Sequence, residues 1–223
     1  MDRPLIHLAG VGLDYPGGVR ALEGIDLEVR SGQFLAVVGP SGSGKTTLLN
    51  LIGGLDRATR GEVEVAGVNL GRCSDRQLSA FRSRHVGFIF QSFHLHPTRT
   101  ALQNTMLPLY FRDEPDPGGR ERCLELLARL GLQGLEHRQV ARLSGGQRQR
   151  VAIARALVNR PSMVLADEPI GHLDGETASV VLSLLSEIHR TEQVTLVAVT
   201  HDLSILQVAE RTVEMAEGRL VAR

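Results

Sequence analysis

Four short apolar runs frame the chain: Phe34–Val38, Val86–Phe90, Met163–Ala166 and Val194–Val199. They do not alternate with polar residues, and turn formers or charges bound them, the pattern of strands buried on both faces of a parallel sheet. Stretches nearer the start behave differently. Leu5–Ala9, Val11–Tyr15 and Ile25–Val29 are short strand candidates punctuated by Pro16-Gly17-Gly18 and Ser31-Gly32, which predicts antiparallel hairpins laid beside the parallel sheet. Gly61–Val65 with Val68–Leu70 reads as another hairpin, and Thr212–Met215 with Arg219–Val221 as a closing one.

Helical spacing appears between these strands. It runs from Lys45 through Leu48, Leu49 and Ile52, over Asp75–Ser83, along Arg148–Leu157, over Gly175–Arg190, and begins again near Leu203. From Ser92 to Val140 the strand signals disappear. Cys123, Leu124, Leu126, Leu127 and Leu130 recur at helical spacing there, after a loop of acids and turn formers at Asp113–Gly119. The prediction is one α/β unit over residues 1–223, in which a core of 1–91 and 141–223 carries an antiparallel β subdomain and accepts a helical subdomain at 92–140.

Composition narrows the class without deciding it. The 223 residues suffice for one sizeable core, or one with a smaller subdomain. Lys plus Arg and Asp plus Glu balance at 25 each, which argues against the basic footprint of a nucleic-acid binder. Cys73 and Cys123 are far apart, so reduced thiols are expected rather than a disulfide framework or a zinc site. The opening residues Met1–His7 lack the apolar segment of a signal peptide, and no apolar run reaches the roughly 18 residues of a membrane span. Any membrane role is therefore expected to come through a partner.

The chemistry concentrates at the ends of the buried runs. Gly39-Pro40-Ser41-Gly42-Ser43-Gly44-Lys45-Thr46-Thr47 follows the first run and opens a helix, which is a phosphate-binding P-loop in the strand–loop–helix context that the motif requires. Glycines let backbone N–H groups converge on an anion, and the helix N-terminus adds its own free donors. Lys45 would reach the β- and γ-phosphates, and the Thr46 hydroxyl would face Mg²⁺. Met163–Ala166 runs directly into Asp167 and Glu168, a costly place for two acids unless they have a task. Asp167 is the expected Mg²⁺ residue; Glu168, facing the other way, is the expected activator of water.

Other candidates are weaker by themselves. Gln91 and His201 each follow a buried run, where open α/β sheets hold ligands. Tyr15, at a strand end, either stacks on a purine base or covers the sheet edge. In Leu143-Ser144-Gly145-Gly146-Gln147, Ser144 is a plausible N-cap, and the two glycines suit either a second anion site or a flexible helix entrance. Arg148, Arg150 and Arg155 are expected to form a solvated or salt-bridged face. His94 and His96 lack an evident third ligand, so a packed or solvated pair is expected rather than a metal site.

Together these residues resemble the ATP-binding-cassette ATPases through nearly the whole chain. Tyr15 matches the A-loop, Gly39–Thr46 the Walker A motif, Gln91 the Q-loop and Leu143–Gln147 the family signature. Met163–Glu168 matches Walker B with its glutamate, Leu173-Asp174 the D-loop and His201 the H-loop. The resemblance implies a RecA-like core, Tyr15 stacked on adenine, Gln91 bridging the Mg²⁺ and water site to the helical subdomain, and His201 on the γ-phosphate. It also implies a head-to-tail homodimer in which Ser144 and Gly146 meet the ATP held by the other protomer's Lys45. Within the family the chain is most similar to cassettes that work with FtsX/MacB-type membrane proteins, in lipoprotein release or macrolide export. That implies peripheral association with the cytoplasmic face of the inner membrane, integral permease subunits as a separate chain since this one ends near Arg223, and no nucleic-acid partner. An FtsE-like regulator of the cell envelope, moving no cargo, is the alternative. Two positions depart from the family's usual Asp-Glu-Pro-Thr-Gly-Asn-Leu-Asp: Ile170 and His172 stand where Thr and Asn are common.

Overall fold

The computed structural model describes residues 3–112 and 114–221; Asp113, which opens the acidic loop, and Met1 and Asp2 of the leader reading lie outside them. Strands β1 (Ile6–Tyr15), β2 (Val19–Val29), β3 (Phe34–Val38), β4 (Arg60–Val65), β5 (Val68–Asn69) and β6 (Val86–Ile89) precede β7 (Met163–Asp167), β8 (Thr195–Thr200), β9 (Arg211–Ala216) and β10 (Arg219–Val221). Helices α1 (Lys45–Ile52), α2 (Asp75–His85), α3 (Ala101–Thr105), α4 (Gly119–Arg129), α5 (Gly145–Leu157) and α6 (Gly175–Glu192) fall between them.

The strands form two sheets. β2-β1-β4-β5 is antiparallel, whereas β10-β9-β3-β8-β7-β6 is parallel except at β10, which turns back on β9. The period of two in the central strands divides the apolar core. Phe34, Ala36 and Val38 of β3, with Val164 and Ala166 of β7, face a cluster shared with α4, α5 and α6. Leu35 and Val37, with Met163 and Leu165, face the other side, where α1, α2 and the antiparallel sheet cover them. Both faces of the sheet are thus buried, which is why its strands read as unbroken apolar runs. Between 92 and 140 lie α3, α4 and 3₁₀ turns, with one isolated bridge between Thr100 and Gln139.

Three expectations are corrected. The two short strands at 5–9 and 11–15 are one, because Gly10 at φ 57° absorbs a bulge between Leu8 and Val11 and the ladder to β2 resumes beyond it. The helix expected near Leu203 is only a 3₁₀ turn, Leu203–Gln207, started by Asp202 accepting from the Ser204 N–H at 2.9 Å. The arginines of α5 are only partly exposed and form no salt bridge among the described residues. Arg148 donates to Leu143 O at 3.1 Å, Arg150 to Leu130 O at 3.1 Å, and Arg155 to the carbonyls of Phe93 and His94. α5 is wedged between the sheet and the 92–140 segment, so its polar face meets loop carbonyls before it meets water.

Candidate functional site

The P-loop owes its shape to distant backbone. A Cβ at Gly39 would lie 2.1 Å from Met215 O on β9, and one at Gly44 2.6 Å from Ala21 O on β2, so only glycine fits either place. Gly42 takes φ 78° and Gly44 φ 99°. Gly44 caps α1 without a side-chain hydrogen bond, and the first turn of α1 carries no acid. The N–H groups at that helix start are therefore open to an outside anion. Lys45 is buried, its Nζ donating to Gly39 O and Pro40 O at 2.8 Å each, so the ammonium lies along the inner rim of the loop. Ser43 is buried too, and its Oγ has no hydrogen-bond partner among the described residues. An orphaned hydroxyl beside a glycine cradle and a buried lysine fits a phosphate chain.

Thr46 and Asp167 meet across the sheet, with Thr46 Oγ1 donating to Asp167 Oδ1 at 3.1 Å. Burial raises the Asp167 pKa, with a smaller push from Glu168, and the Thr46 hydrogen bond and Lys45 oppose it. A half-buried carboxylate next to a hydroxyl, at the mouth of the phosphate cradle, is the hard-oxygen donor set that suits Mg²⁺.

Glu168 points elsewhere. It takes φ 46°, its N–H donates to Val199 O at 2.9 Å, and its carboxylate turns to the end of β8. There it accepts from Thr200 Oγ1 at 2.7 Å and from the His201 N–H at 3.1 Å, and His201 Nδ1 lies 2.7 Å from the same Oε1. Strand alternation and this left-handed backbone together separate the two acids, sending Asp167 to the P-loop and Glu168 to His201. Tyr15 Oη donates to Asp56 Oδ2 at 2.9 Å, with the Thr47 hydroxyl beside it, so the ring stands against the P-loop helix. Gln91 is exposed immediately beyond β6.

The signature forms a second, separate group. Ser144 Oγ accepts from the Gln147 N–H at 3.2 Å while Gln147 Oε1 accepts from the Ser144 N–H at 3.0 Å, a capping box that starts α5. A Cβ at Gly146 would sit 2.2 Å from Thr177 Cγ2, and one at Gly145 3.7 Å from Leu173. Asp174 caps α6 by accepting from the Thr177 N–H and hydroxyl, both at 2.9 Å. Among the described residues, no hydrogen bond or ion pair joins Ser144–Gln147 to the P-loop, Asp167 or Glu168. Two residues absent from the sequence reading belong here as well. Gln149, almost fully buried, donates to Pro169 O at 2.6 Å, and Thr200 holds Glu168. A lone polar residue on the apolar face of α5 was the only trace of the first. Ile170 lies in the apolar core and His172 is exposed, so the first departure from the usual pattern is a matter of packing. His94 packs tilted against Phe90 with ring centroids 4.6 Å apart, and no group of three or more metal-binding side chains occurs among the described residues.

A P-loop strand beside a strand ending in Asp-Glu, with a histidine-bearing strand between them and a capped signature helix apart, defines a nucleotide-hydrolysing cassette. Residues 22–171 match the ABC transporter family, and the chain belongs to it, carrying its ATP-binding ATPase domain. It is 47% identical to the lipoprotein-releasing system ATP-binding protein LolD of Anaeromyxobacter dehalogenans, over 98% of this chain and 93% of that one. It is 44% identical to the macrolide export ATP-binding/permease protein MacB of Rhodopirellula baltica over 96% of its length, but spans only 32% of that larger protein. Among solved structures it superposes on a dimeric post-hydrolysis state of the ATP-binding cassette MJ0796 bound to ADP and Pi, with a TM-score of 0.89, 38% identity and 97% of each chain covered. No helix among the described residues is long and apolar enough to cross a membrane.

Proposed function

We propose that the chain is the ATP-hydrolysing subunit of a membrane complex, that two copies close head-to-tail on two ATP molecules, and that closure drives a separate FtsX/MacB-type partner in lipoprotein release or export. The observation that carries this reading is the division of the site. Among the described residues no hydrogen bond or ion pair joins the P-loop group to the signature group, yet each presents helix-start donors, so a second copy is needed to bring them to one nucleotide.

In this reading Tyr15 covers the base, and residues 39–47 with Lys45 hold the phosphates. Thr46 and Asp167 would hold Mg²⁺, with Gln91 near it, and the ion would supply positive charge to the phosphate chain. Glu168 orients the attacking water and takes up its proton. His201 fixes the carboxylate through Nδ1 and turns the rest of its ring toward the γ-phosphate. Ser144–Gln147 of the other copy, with Asp174 beside them, complete the cradle. Charge stabilisation by donors already in place is the largest catalytic contribution.

A groove of about 500 Å³ supports the coupling to a membrane protein. Its apolar lining is Leu55, Phe88, Phe90, Leu107, Pro108 and Phe111, with Arg82, Arg155 and Asn159 among its polar lining, and Phe111 is 72% exposed. Phe90, one residue before Gln91, is part of that lining, and the groove suits a short amphipathic helix from the membrane subunit.

Lys45→Ala and Glu168→Gln should each abolish turnover, but only Glu168→Gln should accumulate as an ATP-bound dimer in gel filtration with Mg-ATP. A monomeric Glu168→Gln protein would count against the composite site. Capture of the same variant from detergent-solubilised membranes should bring down a membrane protein with a large extracytoplasmic domain. Recovery of a complex containing a cell-wall hydrolase would favour the regulatory, cargo-free alternative.

A further inference from the structure

The segment after Gln91 is held in an unfavourable shape. Phe93 at φ 59° and His94 at φ 47° are consecutive non-glycine residues in the left-handed region, which bulky side chains seldom enter. Nothing in the local sequence accounts for it; the surroundings do. The rings of Phe88, Phe90 and His94 form a run with centroid separations of 5.2 Å and 4.6 Å. Beyond them Asn104, fully buried, binds both the His96 N–H at 2.7 Å and the His96 carbonyl at 3.1 Å. The remaining support comes from α5. Arg155 reaches across and gives one Nη to Phe93 O at 2.7 Å and the other to His94 O. This guanidinium has no carboxylate partner among the described residues, and burial pushes it down to about 10, which leaves it charged at neutral pH. A half-buried cation whose bonds go to two adjacent carbonyls is costly unless they hold something in place.

We infer that Arg155 is a positioning residue that fastens the turn after Gln91 to the signature helix, so that the two shift as one body. The inference rests on the composite-site reading, in which Gln91 senses the nucleotide of its own P-loop and Ser144, at the far end of α5, meets the nucleotide of the other copy. Through Arg155, a displacement of Gln91 when the chain binds ATP re-aims the N-terminus of α5, and closure of the second site follows occupancy of the first. Only the guanidinium spans both carbonyls with a rigid fork; a lysine retains the charge but reaches one of them.

The test is Arg155→Lys in the full-length Glu168→Gln protein. ATP affinity of the dilute monomer should stay within about twofold, because the P-loop is untouched, whereas the protein concentration giving half dimer in Mg-ATP should rise about tenfold, within the usual range of coupling between two sites. Amide hydrogen exchange over residues 91–96 should accelerate by roughly tenfold in the monomer as the segment loses its anchor. A merely structural arginine would lower thermal stability and leave the ratio of dimerisation to monomer affinity unchanged, which would overturn the inference. If the Glu168→Gln parent itself stays monomeric, the composite-site reading fails and this inference falls with it. A parent that dimerises equally well with Arg or Lys at 155 overturns the inference alone.

Discussion

Asp167 ends a strand whose four preceding residues are buried, and that burial, reinforced by Glu168, raises its pKa. The folded chain therefore binds the Asp167 proton more tightly than the unfolded chain does. This contribution favours folding at acid pH and is lost as the pH rises through the raised value, so at neutral pH the carboxylate weakens the nucleotide-free protein. Asp167→Asn should accordingly melt later than the parent, while ATPase activity is lost. Calorimetry beside a phosphate-release assay checks both halves. Stabilisation by Mg-ATP should also weaken as the pH falls through the raised value, where the proton competes for the same oxygen. The pairing of acids was legible because a buried apolar run leads straight into Asp167-Glu168. Their divergence follows from strand alternation, but what holds Glu168 was not legible, since that depends on its left-handed backbone and on Thr200 and His201 at the end of another strand. Gly39 teaches the same lesson. Its place in the loop follows from spacing, but the reason that no other residue fits is Met215 O, on a strand far along the chain.

α5 shows how much one element can contribute from its two ends. The capping box at Ser144 was readable from Ser-Gly-Gly-Gln, and removing it by Ser144→Ala should cost about 1 kcal/mol of stability. Monomer affinity for ATP should not change, since Ser144 is remote from its own P-loop, but ATP-driven dimerisation should fall by much more than the stability loss explains. Titration of labelled ATP against the monomer, and sedimentation in the Glu168→Gln background, separate the two effects. The remainder of the helix was opaque. The arginines looked like a polar surface because their partners are main-chain carbonyls of Leu143, Leu130, Phe93 and His94, and a carbonyl leaves no mark in the sequence. Helical spacing identifies which side chains share a face; it does not say what that face meets.

At the scale of the molecule, the order of the parallel sheet matters most. β3 lies between β8 and β9, and β7 lies beyond β8, so the phosphate loop, the two acids and the histidine converge from strands widely separated along the chain. The parallel sheet was readable as separate strands, but their order was not, because pairing across long separations leaves no local pattern. The two apolar clusters on its faces make the unit cohere, and the antiparallel sheet belongs wholly to one of them. A protein cut after Glu210 keeps every recognisable motif yet loses β9 and β10. Such a protein should be soluble only in part and should fail to retain ATP on a filter, whereas the intact chain binds it. The close seat of Gly39 against Met215 O, and the bond from the Gly218 N–H to Ser43 O at 3.0 Å, also carry a consequence in time. A ribosome adding about 5–20 residues per second completes the phosphate loop early but supplies the residues that shape it only some 10–30 s later. A nascent chain should therefore stay blind to the cell's ATP until β9 and the turn at Gly218 have been made, so that no copy lacking them competes for nucleotide or for a place in the assembly.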